Sequence, residues 1–269
     1  MTDLHWIVPV ARWAAVPAAT KAATGLEFVD PMLRRRLSNL SRMALLAAAT
    51  CLKDSPISKH SNAAGEGVAS ATVATERATK GVRVVFASRH GELRRSTDIL
   101  RTISVGETVS PTAFSLSVMN AMTGVFSIAR QDRSASTALS AGPETLGYAL
   151  LEGYAQYVSD PSAPVLVVYA DETADPIFGE IQDEIEGGAV AVLISGDATT
   201  RLGCRLRPAA ADPVATPIAA RDGSFDDAGD DTAATVCATQ SAAVLQALSG
   251  AAAVWQGASG QWCWSGIDA

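Results

Sequence analysis

Apolar and polar positions along this chain follow two rhythms. Short, nearly unbroken apolar runs read as buried strands. They are "HWIVPVARWA" (about residues 4–13), "GVRVVFAS" (81–88), "APVLVVYADE" (163–172) and "GGAVAVLISG" (187–196), with "RLGCRLRP" (201–208) beside the last. Between them the period changes to three and four. From Pro31 to Lys53, Leu33, Leu37, Leu40, Ala44, Ala47 and Cys51 form one stripe behind a proline suited to a first helical turn. Arg34, Arg35, Arg36 and Arg42 mostly lie off it and read as a solvated basic face. Further helices are expected after "RHGE", after the Ser-Pro start of "SPTAFSLSVMNAMTGVFSIA" (110–129), over "TLGYALLEGY" and over "ATQSAAVLQALSG". "RSASTAL" runs as a strand into the turn "SAGPE".

Strands alternating with helices imply an α/β layered fold. The last two strands of the main body follow closely and suggest an antiparallel edge on a mixed sheet. Residues 54–80 read as a Ser-, Ala- and Gly-rich loop, and 209–235, with "DGSFDDAGDD", as an exposed acidic one. The division expected is a domain over 1–210, then a tail over 211–269 of acidic loop, short helix and strands packed on it. No internal repeat is visible.

Composition narrows the class. The chain has 269 residues, 48% of them hydrophobic, and a formal net charge of -7, which argues against a nucleic-acid surface. No apolar run is long enough to span a bilayer and the N-terminus lacks a signal-peptide pattern, so a cytoplasmic protein is expected. Cys51, Cys204, Cys237 and Cys263 fit no zinc spacing and read as reduced, mostly buried thiols.

Candidate chemistry is sparse. His5, His60 and His90 are the only histidines. Ser140 sits in "LSAGPE", not in a G-x-S-x-G elbow, and no histidine follows it. "GEGVASA" lacks a phosphate-loop pattern. Asp171, Glu172 and Asp175 read as a solvated turn rather than a metal site. No cofactor is expected.

"SVMNAMTGVFSIA" followed by "STALSAGPETLGYALLEGY" resembles the β-ketoacyl synthases, which carry Asn-x-x-x-Gly, a strand ending in Thr-Ala-Cys, and a buried helix. Asn120, Gly124, Thr137, Ala138 and Gly147 match, and "EIEGGAVAVLIS" resembles a later glycine-rich strand of the same half. "FASRHGELRRSTDIL" and "SPTAFSLSVMNA" look more like a short subfamily, the β-ketoacyl synthase-like N-terminal domain or chain length factor of aryl polyene and xanthomonadin-type pigment clusters. The resemblance covers about residues 1–210. It implies a thiolase-like fold, mainly its N-terminal half, with a mixed five-stranded sheet, flanking helices and no catalytic C-terminal half.

The departures carry the functional expectation. The nucleophilic cysteine falls on Leu139, or on Ser140 one register along. Leucine has no nucleophile and serine needs a base. The later histidines have no counterpart, and Met119 stands where the subfamily has histidine. The resemblance therefore implies a non-catalytic subunit, paired with a full-length ketosynthase across the strand before Leu139, that serves an acyl carrier protein in fatty acid-like or type II polyketide-like synthesis. Phe114, Val118 and Met119 are the candidates to face the acyl channel. Asn120 is expected to hydrogen-bond through its side chain, Gly124 to permit close packing, and Thr137 to lie at the interface. The alternatives are an acyl hydrolase or transferase using Ser140, and a scaffold binding the carrier protein through Arg34–Arg36.

Overall fold

The computed structural model describes residues 3–20, 24–53, 55, 57, 81–181, 187–208 and 234–268. The glycine stretch and His60 within 54–80, the acidic stretch up to residue 233, and residues 184–186 of "EIEGG" lie outside the described residues.

The apolar runs are strands, as their continuity predicts, and four shorter or more polar stretches join them, nine strands in all among the described residues. These are β1 (Leu4–Pro17), β2 (Arg83–Ala87), β3 (Ser136–Leu139), β4 (Val165–Asp171), β5 (Gly188–Ile194), β6 (Thr200–Pro208), β7 (Thr235–Val236), β8 (Ala253–Gln256) and β9 (Gly260–Asp268). All seven β4 residues are buried, which explains why no period-2 alternation marks it.

Two predicted helices are each broken in two. The stripe from Pro31 forms α1 (Pro31–Arg36) and α2 (Asn39–Leu52). Asp30 caps α1, Leu37 is extended, and the Ser38 hydroxyl accepts from the Ser41 amide to start α2. Likewise 110–129 forms α4 (Pro111–Ser115) and α5 (Ala121–Arg130), after α3 (Leu93–Ser104). Then come α6 (Thr145–Ser159) and α7 (Gln240–Leu248).

One mixed sheet runs β3-β2-β4-β5-β1-β6-β9-β8-β7. β3, β2, β4, β5 and β1 make its first part and β6, β9, β8 and β7 continue it, so the five-stranded sheet implied by the resemblance is extended to nine strands. β5 and β6 are not neighbours, contrary to the sequence reading, because β1 lies between them. Residues Val10–Pro17 of β1 pair with β5 and Leu4–Val10 with β6. A bulge between Val10 and Arg12 shifts the strand's alternation. Trp6, Val8 and Val10 face one core cluster, whereas Ala14 and Val16 face the other.

The topology contains a repeat that the sequence hides. Across β2, β4, β5 and β1 the pairings are parallel, antiparallel and antiparallel. Across β7, β8, β9 and β6 they are the same. α2 and α5 cover one face of the first part, with Leu45, Met122 and Phe126 fully buried. α6 and α7 lie in the other cluster with Trp255, Trp262 and Trp264, so the aromatic tail is core. No helix among the described residues is long and apolar enough to cross a membrane.

Candidate functional site

The C-terminal ends of β3, β2 and β4 converge, and the turn after β3 is built there. Leu139 closes the strand, half-buried against the cluster that holds α6 and α7. Gly142, at φ 58°, turns the chain in the left-handed region where only glycine is unstrained. Thr145 closes the loop: its hydroxyl accepts from the Ala141 amide at 2.9 Å and donates to the Gly142 carbonyl at 2.6 Å. Glu144, also buried, accepts from the Ser259 amide (2.7 Å) and hydroxyl (2.6 Å). The turn is therefore bolted to the β8–β9 connection. Between Pro143, Tyr169, Gln240 and Trp255 there remains a cavity of about 20 Å³, room for one water and not an acyl chain.

Leu139 is inert, and Ser140 is exposed with its hydroxyl donating to the Arg89 carbonyl at 2.9 Å. A carbonyl takes no proton, so this hydrogen bond does not activate Ser140 Oγ. The cysteines lie elsewhere, without disulfides. Burial pushes the Cys51 thiol up to about 12 and Cys204 well above its ordinary value, so neither supplies a thiolate.

The acidic residues after β4 correct the solvated-turn reading. Asp171 is fully buried and accepts from the Arg89 amide (2.8 Å), the Ser88 hydroxyl (3.1 Å) and the His90 amide (3.3 Å). It thereby shapes the loop that leads to α3. Burial raises its pKa, against these hydrogen bonds. Glu172 is raised too, first by burial and then by the nearby Glu92 carboxylate. Asp175 pairs with Arg101 at 2.8 Å and caps the turn Pro176–Phe178. No cluster of three metal-ligating side chains occurs among the described residues. Sequence reasoning misread Asp171 and missed Glu92, since a carboxylate beside a strand end carries no pattern that separates core from surface.

The segment 110–124 divides sharply. Phe114 is 63% exposed and Val118 45%. Met119 instead turns inward, packed on the α2–α5 cluster beside Gly91. The Asn120 side chain makes no cap hydrogen bond, and its carbonyl accepts from the Thr123 hydroxyl. Gly124 is exposed with nothing within 4 Å of where a Cβ would stand, so close packing within the chain does not explain it. Ile128, one turn on, is 72% exposed. Thr137 accepts from the Gln156 side-chain amide at 3.2 Å. β3 pairs only with β2 among the described residues, so its outer edge carries open backbone groups. Its residues, Ser136-Thr137-Ala138-Leu139, include no charge or proline to blunt that edge.

The basic face is also less solvated than its spacing suggests. Arg34 donates to the Leu26 carbonyl, Arg36 to the Thr112 hydroxyl, and Arg42 to the Leu37 and Arg34 carbonyls.

Comparison with known proteins fits this architecture. A family model described as β-ketoacyl synthase, N-terminal domain, matches residues 10–61 and 57–265. No curated protein sequence matches the chain. Among solved structures it is similar to a chain in the complex of a ketosynthase (ApeO) with its chain length factor (ApeC) from Xenorhabdus doucetiae. The TM-score is 0.64 at 21% identity, over 97% of this chain and 99% of that one. The ishigamide ketosynthase/chain length factor gives 0.52 at 15% identity, over 74% of this chain and 67% of that one. A β-ketoacyl synthase from Burkholderia phymatum STM815 gives 0.54 at 12%, over 77% and 66%. At such identities the shared property is the fold, here thiolase-like. With the family model matching nearly the whole length, the chain belongs to the β-ketoacyl synthase N-terminal domain family.

Proposed function

We propose that this chain is a non-catalytic chain length factor: it pairs with a full-length ketosynthase and forms part of the channel that receives the growing acyl chain. The observation that carries the reading is the turn after β3. It keeps a strand, a sharp turn and a helix, yet presents Leu139 and a Ser140 hydroxyl bound to a carbonyl. Condensation needs a thiolate to hold the acyl group and donors for the developing charge. Those belong to the partner in this reading.

The bare edge of β3 supports strand-to-strand pairing with the ketosynthase, and exposed Gly124 and Ile128 of α5, with Asn120 at its N-cap, support α5 as a further part of that interface. Thr137 belongs to that interface. Phe114 and Val118 are the side chains we assign to the channel wall. Met119, turned inward, is their support rather than a wall residue. The carbon chain is delivered by an acyl carrier protein, and the product class is an aryl polyene or xanthomonadin-type pigment. Co-expression with the ketosynthase of its own gene cluster, followed by size-exclusion chromatography, tests the pairing. One peak holding both chains is expected. Two separate peaks would overturn it.

A further inference from the structure

The five-residue helix α4 is too short to hold itself. It exposes Phe114, and the residues that follow it, Leu116 and Met119, pack against the core. A chain of polar contacts also reaches it from below. Glu92, buried at the start of α3, accepts from the Ser38 and Ser41 hydroxyls of α2, both at 2.6 Å. Its other oxygen pairs with Arg95 Nε at 3.3 Å. Arg95 Nη2 donates to the Arg36 carbonyl at 2.9 Å. Arg36 Nη1 donates to Thr112 Oγ1 at 3.2 Å. Four elements, α2, α3, α1 and α4, are thus joined in sequence, and the last link ends two residues before Phe114.

We propose that Arg36 is a positioning residue: it latches α4 to the anchor at Glu92 and so sets how far Phe114 and Val118 stand out from the subunit. The consequence for product length rests on the function proposed above; the latch itself does not. Arginine suits the task because its backbone carbonyl is held by Arg95 while its guanidinium reaches on to Thr112. The final link lies between exposed groups, so it biases α4 toward one position and does not weld it there.

Amide hydrogen exchange on the isolated chain tests the latch. The amides of Phe114, Leu116 and Ser117 are hydrogen-bonded within the turn and report its opening. Arg36→Ala and Thr112→Val should each speed their exchange about fivefold, while β4 amides stay unchanged and Thr112→Ser behaves as the parent. Unchanged exchange in both variants overturns the proposal. In the co-purified complex, the same two variants should broaden the distribution of product lengths while co-elution is retained; an unaltered distribution, with Phe114→Ala shifting it, would refute the positioning role. If Phe114→Ala leaves product length alone while exchange quickens in Arg36→Ala, the latch stands and the channel-wall assignment falls.

Discussion

Gly147 of α6 lies directly against the ring of Trp262 on β9. A Cβ at 147 would stand 2.7 Å from Trp262 Cη2 and 2.6 Å from Gln240 Nε2, closer than real side chains approach. The Gly147 amide also donates to Gln240 Oε1 at 2.9 Å. This glycine, which matched a family position, is where the helix behind the turn meets the second part of the sheet. Gly147→Ala should cost about 1–3 kcal/mol by overpacking, read as a lower denaturation midpoint. An unchanged midpoint would show that Trp262 yields freely.

The tail should be indispensable to the fold. Trp262 and Trp264 are fully buried, stacked on each other with centroids 5.7 Å apart, and both meet Trp6 edge-on. Trp262→Ala should cost about 3–5 kcal/mol. Removal of residues 253–268 should leave no cooperative unfolding transition by circular dichroism.

Gly124→Ala separates two demands on α5. With no neighbour within 4 Å, the isolated subunit should gain up to about 1 kcal/mol from the better helix former. Under the proposed pairing, Gly124→Arg should leave the chain folded yet abolish co-elution with a ketosynthase. Co-elution at the parental level would remove α5 from the interface.

Two carboxylates should move stability with pH in opposite senses. Asp132 resists burial through bonds from Ser134 and Val82, and its pKa falls below the ordinary 3.8. Its contribution is present above that value and is lost as pH falls through the depressed one. Asp132→Ala should therefore destabilise at pH 7 and hardly at all in strong acid. Glu172, raised above 4.5 by burial and by Glu92, favours the folded state most below 4.5 and loses that favour as pH rises through its shifted value. Glu172→Gln should accordingly stabilise at pH 7, and the gain should vanish below about pH 4. Chemical denaturation at several pH values checks both.

β4 and β5 were legible because burial on both faces leaves short, unbroken apolar runs bounded by turn residues. Helix breaks were not, since Leu37 and Leu116 keep the apolar rhythm across residues that leave helical geometry, and only Ser38 offered a capping signal. The neighbours of β1 were illegible for a different reason: pairing order is decided by contacts distant in sequence, and a bulge at Val10–Arg12 has no local signature. The turn at Leu139 was found by motif order. What Phe114, Met119 and Gly124 face was not, because helical spacing gives a face without saying what lies opposite.

The split pairing of β1 also bears on how the protein is made. Leu4–Pro17 is synthesised well before its partners, which lie in 188–194 and 200–208. An apolar strand must wait for most of the chain before either of its edges is satisfied. Contacts so distant in sequence slow folding and leave the nascent chain open to association. β1 is thus made long before it can find its place, and chaperone demand during expression should track the sequence of β1 more closely than that of any helix.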